Sequence, residues 1–378
     1  MQIITRDSCA VSGSTDLEFL YKCENTSVFM GCVSHPQSLD LRHDMIWMIS
    51  RGSGLIQLKE LLPLDILYPE SHGAGAVGSL WEKHHKAFAN FVNKSLPFSV
   101  LEIGGAHGIL EREYQGFDNI KWVILEPNPS PVVGCKAKFI KGFFDENFQY
   151  SDDFDTIVHS HVFEHIYNPD VFMKHLSSFM APGKKILFSL PNLQVMLEKK
   201  YTNCINFEHT VFLTEPYVEF LLAKYGFRLI AKQFFMEDHS IFYSAVRDIG
   251  VKPSSLPDHL YERNKKLYID YVNYHKFLIN DLNEKMSSSV QPIYLFGAHV
   301  FAQYLIEMGL NTDKIVCLLD NDPQKHGKRL YGTHLKVASP KVLHDVSDPM
   351  VILKAGVYNE EIKRDIWENI NFTTRFLE

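Results

Sequence analysis

Glu208 and His209, adjoining in the stretch NFEHTVFLTEP, are the pair best suited to proton chemistry in this 378-residue chain. An imidazole titrates near pH 6.5 and accepts a proton at neutral pH, and a neighbouring carboxylate can hold its orientation. A solvated loop pair would read the same way, so the pair gains meaning from what converges on it. Residues 99–108, SVLEIGGAHG, supply that second element: an apolar run, then glycines at 104, 105 and 108. Glycine there lets a ligand reach the backbone where a Cβ would block it. Glu102 sets a carboxylate near the strand end, which suits a cofactor bearing hydroxyls and an ammonium group better than a pyrophosphate.

These residues need a frame. From 79 to 247 the pattern alternates helix and strand, which predicts a mostly parallel α/β sheet covered on both faces. Helix is expected over 79–93 and 215–225, the second with Gly226 as its C-cap. Strands are expected over 121–126, 137–144, 155–161 and 185–190. Ligands of such sheets lie outside the carboxyl ends of the strands, where Gly104, Glu126, Ser160 and His161 converge. Glu126, ending the second strand and followed by Pro127, is placed to hold ribose hydroxyls. Phe144 could lie against an adenine ring or simply join the core.

Residues 1–78 read as a small irregular lobe, with a hairpin over 45–58 and a glycine-rich segment, 68–78, that suits a lid or a linker. Residues 248–378 open with a charged helical stretch and then repeat the strand-to-glycine pattern in PIYLFGA. A further strand ends at Asp320, which predicts a second Rossmann-like domain. The net charge of −7 argues against a nucleic-acid partner, and no apolar run approaches the ~20 residues of a membrane span. The six cysteines show no paired framework and the first residues no signal-peptide pattern, so a cytoplasmic setting is expected. Cys9, Cys23, Cys32 and His35 contain no CxxC pair, which weakens a zinc reading.

LEIGGAHG, VILEP and FDTIVHSHVFEHIYNP resemble the successive motifs of class I S-adenosylmethionine-dependent methyltransferases. The resemblance implies that Glu102 meets the methionine portion of the donor and Glu126 its ribose. Gly104, Gly105 and Gly108 would form the turn, with Pro127, Phe144, Ser160 and His161 around the adenosine and sulfonium. NFEHTVFLTEPYVEFLLAKYGF, and LFGAHVFAQYLIEMGL with VCLLDNDPQKHGKRLYGTHLKVASP, are similar to nucleotide-sugar C-methyltransferases. That similarity implies His209 as the base that forms an enolate from a keto-sugar, with Glu208 beside it. Tyr68, His72, Asn192, Asn206, Gly297, Ala298, His299 and Asp320 would line the acceptor pocket.

Three departures stand out. Asn206 occupies a position where the family has tyrosine, and the tyrosines of the 68–79 region reduce to Tyr68. The family's four-cysteine zinc site keeps only Cys9 in Cys9-Ala-Val-Ser12 and no cysteine in Ser50-Arg-Gly-Ser53, so no metal is expected. Methylation of oxygen or nitrogen on a related sugar or glycan precursor remains the alternative. An NAD-dependent oxidoreductase using either glycine turn is a further one.

Overall fold

The computed structural model describes residues 3–68, 78–117 and 119–378. Its central sheet contains β1 (Ser99–Ile103), β2 (Lys121–Glu126), β3 (Lys138–Lys141), β4 (Thr156–Ser160), β5 (Lys185–Pro191), β6 (Phe227–Phe235) and β7 (Ser240–Arg247). The spatial order is 3-2-1-4-5-7-6. Strands β1 to β5 run parallel, and β7 lies antiparallel to both β5 and β6.

Alternation along the strands sorts the core into two faces. Val100, Ile124, Val158 and Leu187 pack with Phe88, Phe91 and Val92 of helix α1 (Ser79–Asn93). Leu101, Val123, Ile157 and Phe188 pack with Met173 and Leu176 of α2 (Pro169–Phe179), and with Val218 and Leu221 of α3 (Glu215–Lys224). The start of α2 is fixed by Pro169 in its first turn and by Asn168, whose side chain accepts from Val171 N at 3.1 Å. The expected parallel sheet is present. The hairpin β6–β7 is an addition that periodicity did not suggest.

The first lobe is more ordered than its sequence suggests. Leu17–Ser27, Arg42–Ser50 and Ile56–Leu58 form a three-stranded antiparallel sheet, the last two making the expected hairpin with Ile49 opposite Ile56. The eleven-residue first strand escapes a period-two reading because its register slips between Phe19 and Tyr21 and again between Cys23 and Thr26.

Beyond β7 runs α4 (Leu260–Ser288), 29 residues long. It leads into a second sheet of β8 (Ile293–Phe296), β9 (Ile315–Leu319), β10 (Val337–Ala338), β11 (Met350–Ile352) and β12 (Arg375–Leu377). The order is 3-2-1-4-5 within this sheet, and all its pairings are parallel. Tyr268, Tyr271 and Val272 of α4 share a core with Trp47 and Phe212, while Leu278, Leu282 and Met286 enter the core of the second sheet.

Candidate active site

The order of the central sheet reverses between β1 and β4, which opens a crevice at their carboxyl ends. The glycine turn lines one side. Gly104 has φ of 72°, and a Cβ there would lie 2.6 Å from a methyl of Val162. A Cβ on Gly105 would lie 2.7 Å from the Glu102 carboxylate. Glycine is thus required at both positions by the close approach of Val162 and Glu102. Gly108, with φ of 68°, precedes the five-residue helix Ile109–Glu113. Glu102 lies beneath the turn, accepting a hydrogen bond from Trp122 Nε1 at 2.7 Å. Burial pushes its carboxyl up to about 8, although the indole bond acts in the opposite direction. Glu126 accepts from Ala106 N at 3.1 Å and from Asn128 N at 3.0 Å, which ties the end of β2 to the turn and fixes the site of Pro127. Phe144 is packed in an aromatic group, 4.7 Å from His175 and 5.6 Å from Phe172 between ring centres, so its ring serves the core.

The opposite side is a cluster of carboxylates and imidazoles. Ser160 ends β4, and His161 follows with φ of 52°, its amide held by Ser189 O at 2.9 Å. Its Nδ1 lies 3.3 Å from Glu164 Oε1 and its Nε2 lies 2.9 Å from Ser240 Oγ. Glu164 is only 1% exposed, and among the described residues neither of its oxygens has a hydrogen-bond partner. His165 Nδ1 stands 3.1 Å from both Tyr68 Oη and Glu208 O, while its Nε2 is 3.8 Å from Glu164. The rings of His165 and His209 are 5.4 Å apart.

Local geometry presents the Glu208–His209 pair. Asn206 Oδ1 accepts from the amides of Glu208 and His209 at 2.9 and 2.8 Å, an Asx turn that aims both side chains. His209 Nδ1 lies 3.2 Å from Cys204 O and 3.3 Å from Asn206 Nδ2. The carbonyl can only accept and the amide nitrogen can only donate, so the two contacts ask opposite tautomers of the ring. Burial lowers the His209 pKa, and the Glu164 carboxylate pulls it partly back up. The ring is therefore in its basic form at neutral pH. The first lobe sets this segment's position: Phe212 N donates to Ile56 O at 2.9 Å, and buried Arg6 donates to Thr210 O at 2.6 Å.

Sequence reasoning missed Glu164 and His165, which sit inside the motif VFEHIYNP but were assigned no role. Their spacing carries no signal until the turn Phe163–His165 folds them against His209. It also missed Arg6.

Other expected site residues have partners elsewhere. Asn192 lines an open cavity of about 530 Å³ with Gln194, Phe234 and Met236, and none of the imidazole cluster borders it. Ala298 is fully buried, and its amide donates to Asp320 Oδ2 at 2.9 Å. Asp320 also accepts from Lys325 Nζ at 2.9 Å. Gly297 and His299 flank Ala298 at the start of the helix Val300–Glu307, which shares a small cavity with Asn206 and Phe207. The C-terminal region thus meets the segment that bears Glu208 and His209 through this helix, with Ala298 and Asp320 turned inward. His72 lies outside the described residues. Cys9, Cys23, Cys32 and His35 do not converge: Cys32 Sγ donates to Ala298 O at 3.3 Å, and Cys9 Sγ lies 3.2 Å from Ser53 Oγ. Ser53 N in turn donates to Ser50 Oγ at 3.2 Å, so hydroxyl and thiol contacts join the two loops.

A sheet of this order, with a bare glycine turn after β1 and an acid closing β2, defines the catalytic frame of a methyltransferase. Residues 77–232 match the family described as a methyltransferase domain, and residues 265–377 match the C-methyltransferase C-terminal domain. The chain carries both domains and is a methyltransferase. No curated protein sequence matches it. Among solved structures it is similar to the N-methyltransferase NodS of Bradyrhizobium japonicum WM9, at 12% identity and a TM-score of 0.35, over 45% of this chain and 97% of that one. Human N-acetylserotonin methyltransferase in complex with SAM gives 16% and 0.37, over 45% of this chain and 53% of that one. Magnesium protoporphyrin IX methyltransferase of Synechocystis PCC 6803, with bound SAH, gives 16% and 0.35, over 46% and 89%. Likenesses this shallow leave the two domain families as the basis of the assignment.

Proposed function

We propose that this methyltransferase uses S-adenosylmethionine and acts on a nucleotide-linked sugar, adding the methyl group to the carbon beside a ketone. The observation that carries the reading is His209: a buried imidazole, basic at neutral pH, set in a cluster of carboxylates at the tips of the strands. The C-methyltransferase C-terminal domain supports carbon as the acceptor.

The donor supplies an electrophilic methyl on a sulfonium, which needs alignment and dryness more than covalent help. The turn at Gly104 and Gly105 stands at the tip of β1 where the donor would lie, and the Glu126 carboxylate retains lone pairs for ribose hydroxyls. Gly108 and Pro127 shape the turn and the end of β2, while Ser160 and His161 border the methyl. Glu102 sits behind them, with its proton retained near neutral pH.

His209 takes the proton from the sugar carbon, forming the enolate. Glu208 and Glu164 offset the charge of the imidazolium that results. His165 and Tyr68 lie beside it, within reach of the enolate oxygen. Asn206 belongs to the acceptor side, and the helix that follows His299 shares a cavity with it, while Asn192, Ala298 and Asp320 have their partners elsewhere. The division into lobes 1–78, 79–247 and 248–378, and a cytoplasmic setting suited to six free cysteines, form part of this reading. Among the described residues no helix is long and apolar enough to cross a membrane.

Asn206, in the place where the related enzymes have tyrosine, favours a second reading: transfer to a sugar hydroxyl or amine, for which one imidazole base suffices. Incubating the enzyme with candidate nucleotide-sugars and ¹³C-methyl donor distinguishes the two. A high-field carbon-bound methyl resonance is expected, whereas a methoxy or N-methyl resonance would replace the first reading by the second. Thermal protection by S-adenosylhomocysteine and not by NAD is expected; protection by NAD alone would overturn both.

A further inference from the structure

We propose that His84, His161 and His239 form a binding site for one divalent transition-metal ion of the zinc class, beside the tip of β4. This goes beyond the proposed reaction and departs from the expectation of no metal. The three residues come from three elements: the middle of α1, the position after β4 and the position before β7. One ring nitrogen of each lies within 4.8 Å of the others.

The geometry of the rings fits a common ligand. Their centres are 5.2 Å apart for His84 and His161, 5.3 Å for His84 and His239, and 6.1 Å for His161 and His239. A metal about 2.0–2.1 Å from each of three imidazole nitrogens in a tetrahedral shell holds ring centres roughly 5 Å apart. Small inward rotations of His161 and His239 therefore suffice.

Serine hydroxyls already gather the rings: Ser189 Oγ lies 3.0 Å from His84 Nε2, and Ser240 Oγ lies 2.6 Å from His239 Nδ1 and 2.9 Å from His161 Nε2. His84 Nδ1 is buried in a residue of 0% exposure and, among the described residues, has no hydrogen-bond partner. An unpaired buried nitrogen lone pair is costly, and a cation would relieve it. His161 Nε2 would exchange its contact with Ser240 for the metal.

The donor set selects the ion. Three imidazoles suit zinc, cobalt, nickel or copper, and magnesium and calcium prefer oxygen. Trp81 covers the trio, its ring centre 5.0 Å from that of His161 and 5.1 Å from those of His84 and His239. Glu164, whose oxygens have no hydrogen-bond partner among the described residues, supplies the compensating negative charge through His161. An ion here would tie α1 to the sheet and hold His161 in place. The second group of this kind, Glu164, His165 and His209, shares no ligand with the trio.

The test uses the full chain, stripped with a chelator and titrated with Co²⁺ and Zn²⁺ alone, with no methyl transfer required. One equivalent is expected, with cobalt bands of a tetrahedral nitrogen site. His84→Gln and His239→Gln should abolish those bands, Glu164→Gln should weaken uptake by about 10–100-fold, and His165→Asn should leave it unchanged. Absence of stoichiometric uptake, or uptake that survives both glutamine variants, overturns the proposal. Where those variants fail to fold, anomalous scattering at the zinc edge from wild-type crystals decides: a peak among the three rings supports the site, and a peak elsewhere or none refutes it.

Discussion

Glu126 and Asp320 stand at the same point of two sheets that share the order 3-2-1-4-5 over their first five strands. Glu126 closes the second strand of its sheet and Asp320 directly follows the second strand of its own, and each accepts a hydrogen bond from the glycine turn after the first: Ala106 N to Glu126 at 3.1 Å, Ala298 N to Asp320 at 2.9 Å. Each also accepts from the amide two residues on, Asn128 N at 3.0 Å and Asp322 N at 2.9 Å. The difference is in what surrounds them. Asp320 is paired with Lys325 Nζ at 2.9 Å, whereas among the described residues no ammonium or guanidinium group pairs with Glu126. The central turn has three glycines and the second has Gly297 alone. Counting back from the glycine, β1 holds Glu102 where β8 holds the fully buried Leu295. One frame thus leaves its acid without a cation, and the other neutralises it internally. A shared topology is no warrant for a shared ligand; the side chains at the strand tips decide.

The sharpest way to break this contrast is to disable the central site. His209→Asn should lower kcat by at least ~100-fold while S-adenosylhomocysteine affinity, read by calorimetry, stays within about 2-fold. Full activity would remove His209 from the mechanism. Next, Glu126→Gln should weaken S-adenosylhomocysteine binding by ~10–100-fold, the loss of hydrogen bonds to a charged acceptor. Asp320→Asn should leave that affinity unchanged, and equal losses in the two variants would erase the distinction drawn between the sheets.

The third prediction concerns Glu102 and stability. The folded chain holds the Glu102 proton up to about pH 8, against an ordinary value of 4.5. Its contribution to stability is whole below pH 4.5 and is lost as pH rises to about 8, because there the unfolded chain releases a proton that the folded one keeps. Wild-type Tm should therefore fall by a few degrees relative to Glu102→Gln across that window. Parallel curves would show that the carboxyl is not shifted. The smallest effect is Lys325→Ala, a partly exposed ion pair, which should cost less than about 1 kcal/mol in denaturant unfolding and leave donor affinity unaltered.

Much of the central frame is legible in sequence because its strands are apolar runs closed by glycine or acid, as in SVLEIGG and KWVILEP. A fully buried parallel strand has no other way to be written. The strand Leu17–Ser27 was not legible, because its two register slips carry Phe19, 58% exposed, out of the expected alternation. In the site, Glu208 and His209 are neighbours in the chain and could be read as a unit. Their relation to Glu164 and His165 could not, since it depends on a short turn and on a lobe some 150 residues earlier that fixes Thr210 through Leu58 and Arg6. His84 and His239 are separated by six strands and say nothing singly.

Helix α4 bears on how the halves of the molecule are joined. At about 1.5 Å per residue its 29 residues make a rod of roughly 43 Å. One end is wedged beneath Trp47, 5.9 Å from Tyr268 between ring centres, and the other is embedded under β8. Such a girder resists bending, so the two halves of the molecule cannot swing apart like a hinged jaw without unseating Tyr268 and Tyr271. The helix thus joins the first lobe and the second sheet as one rigid strut.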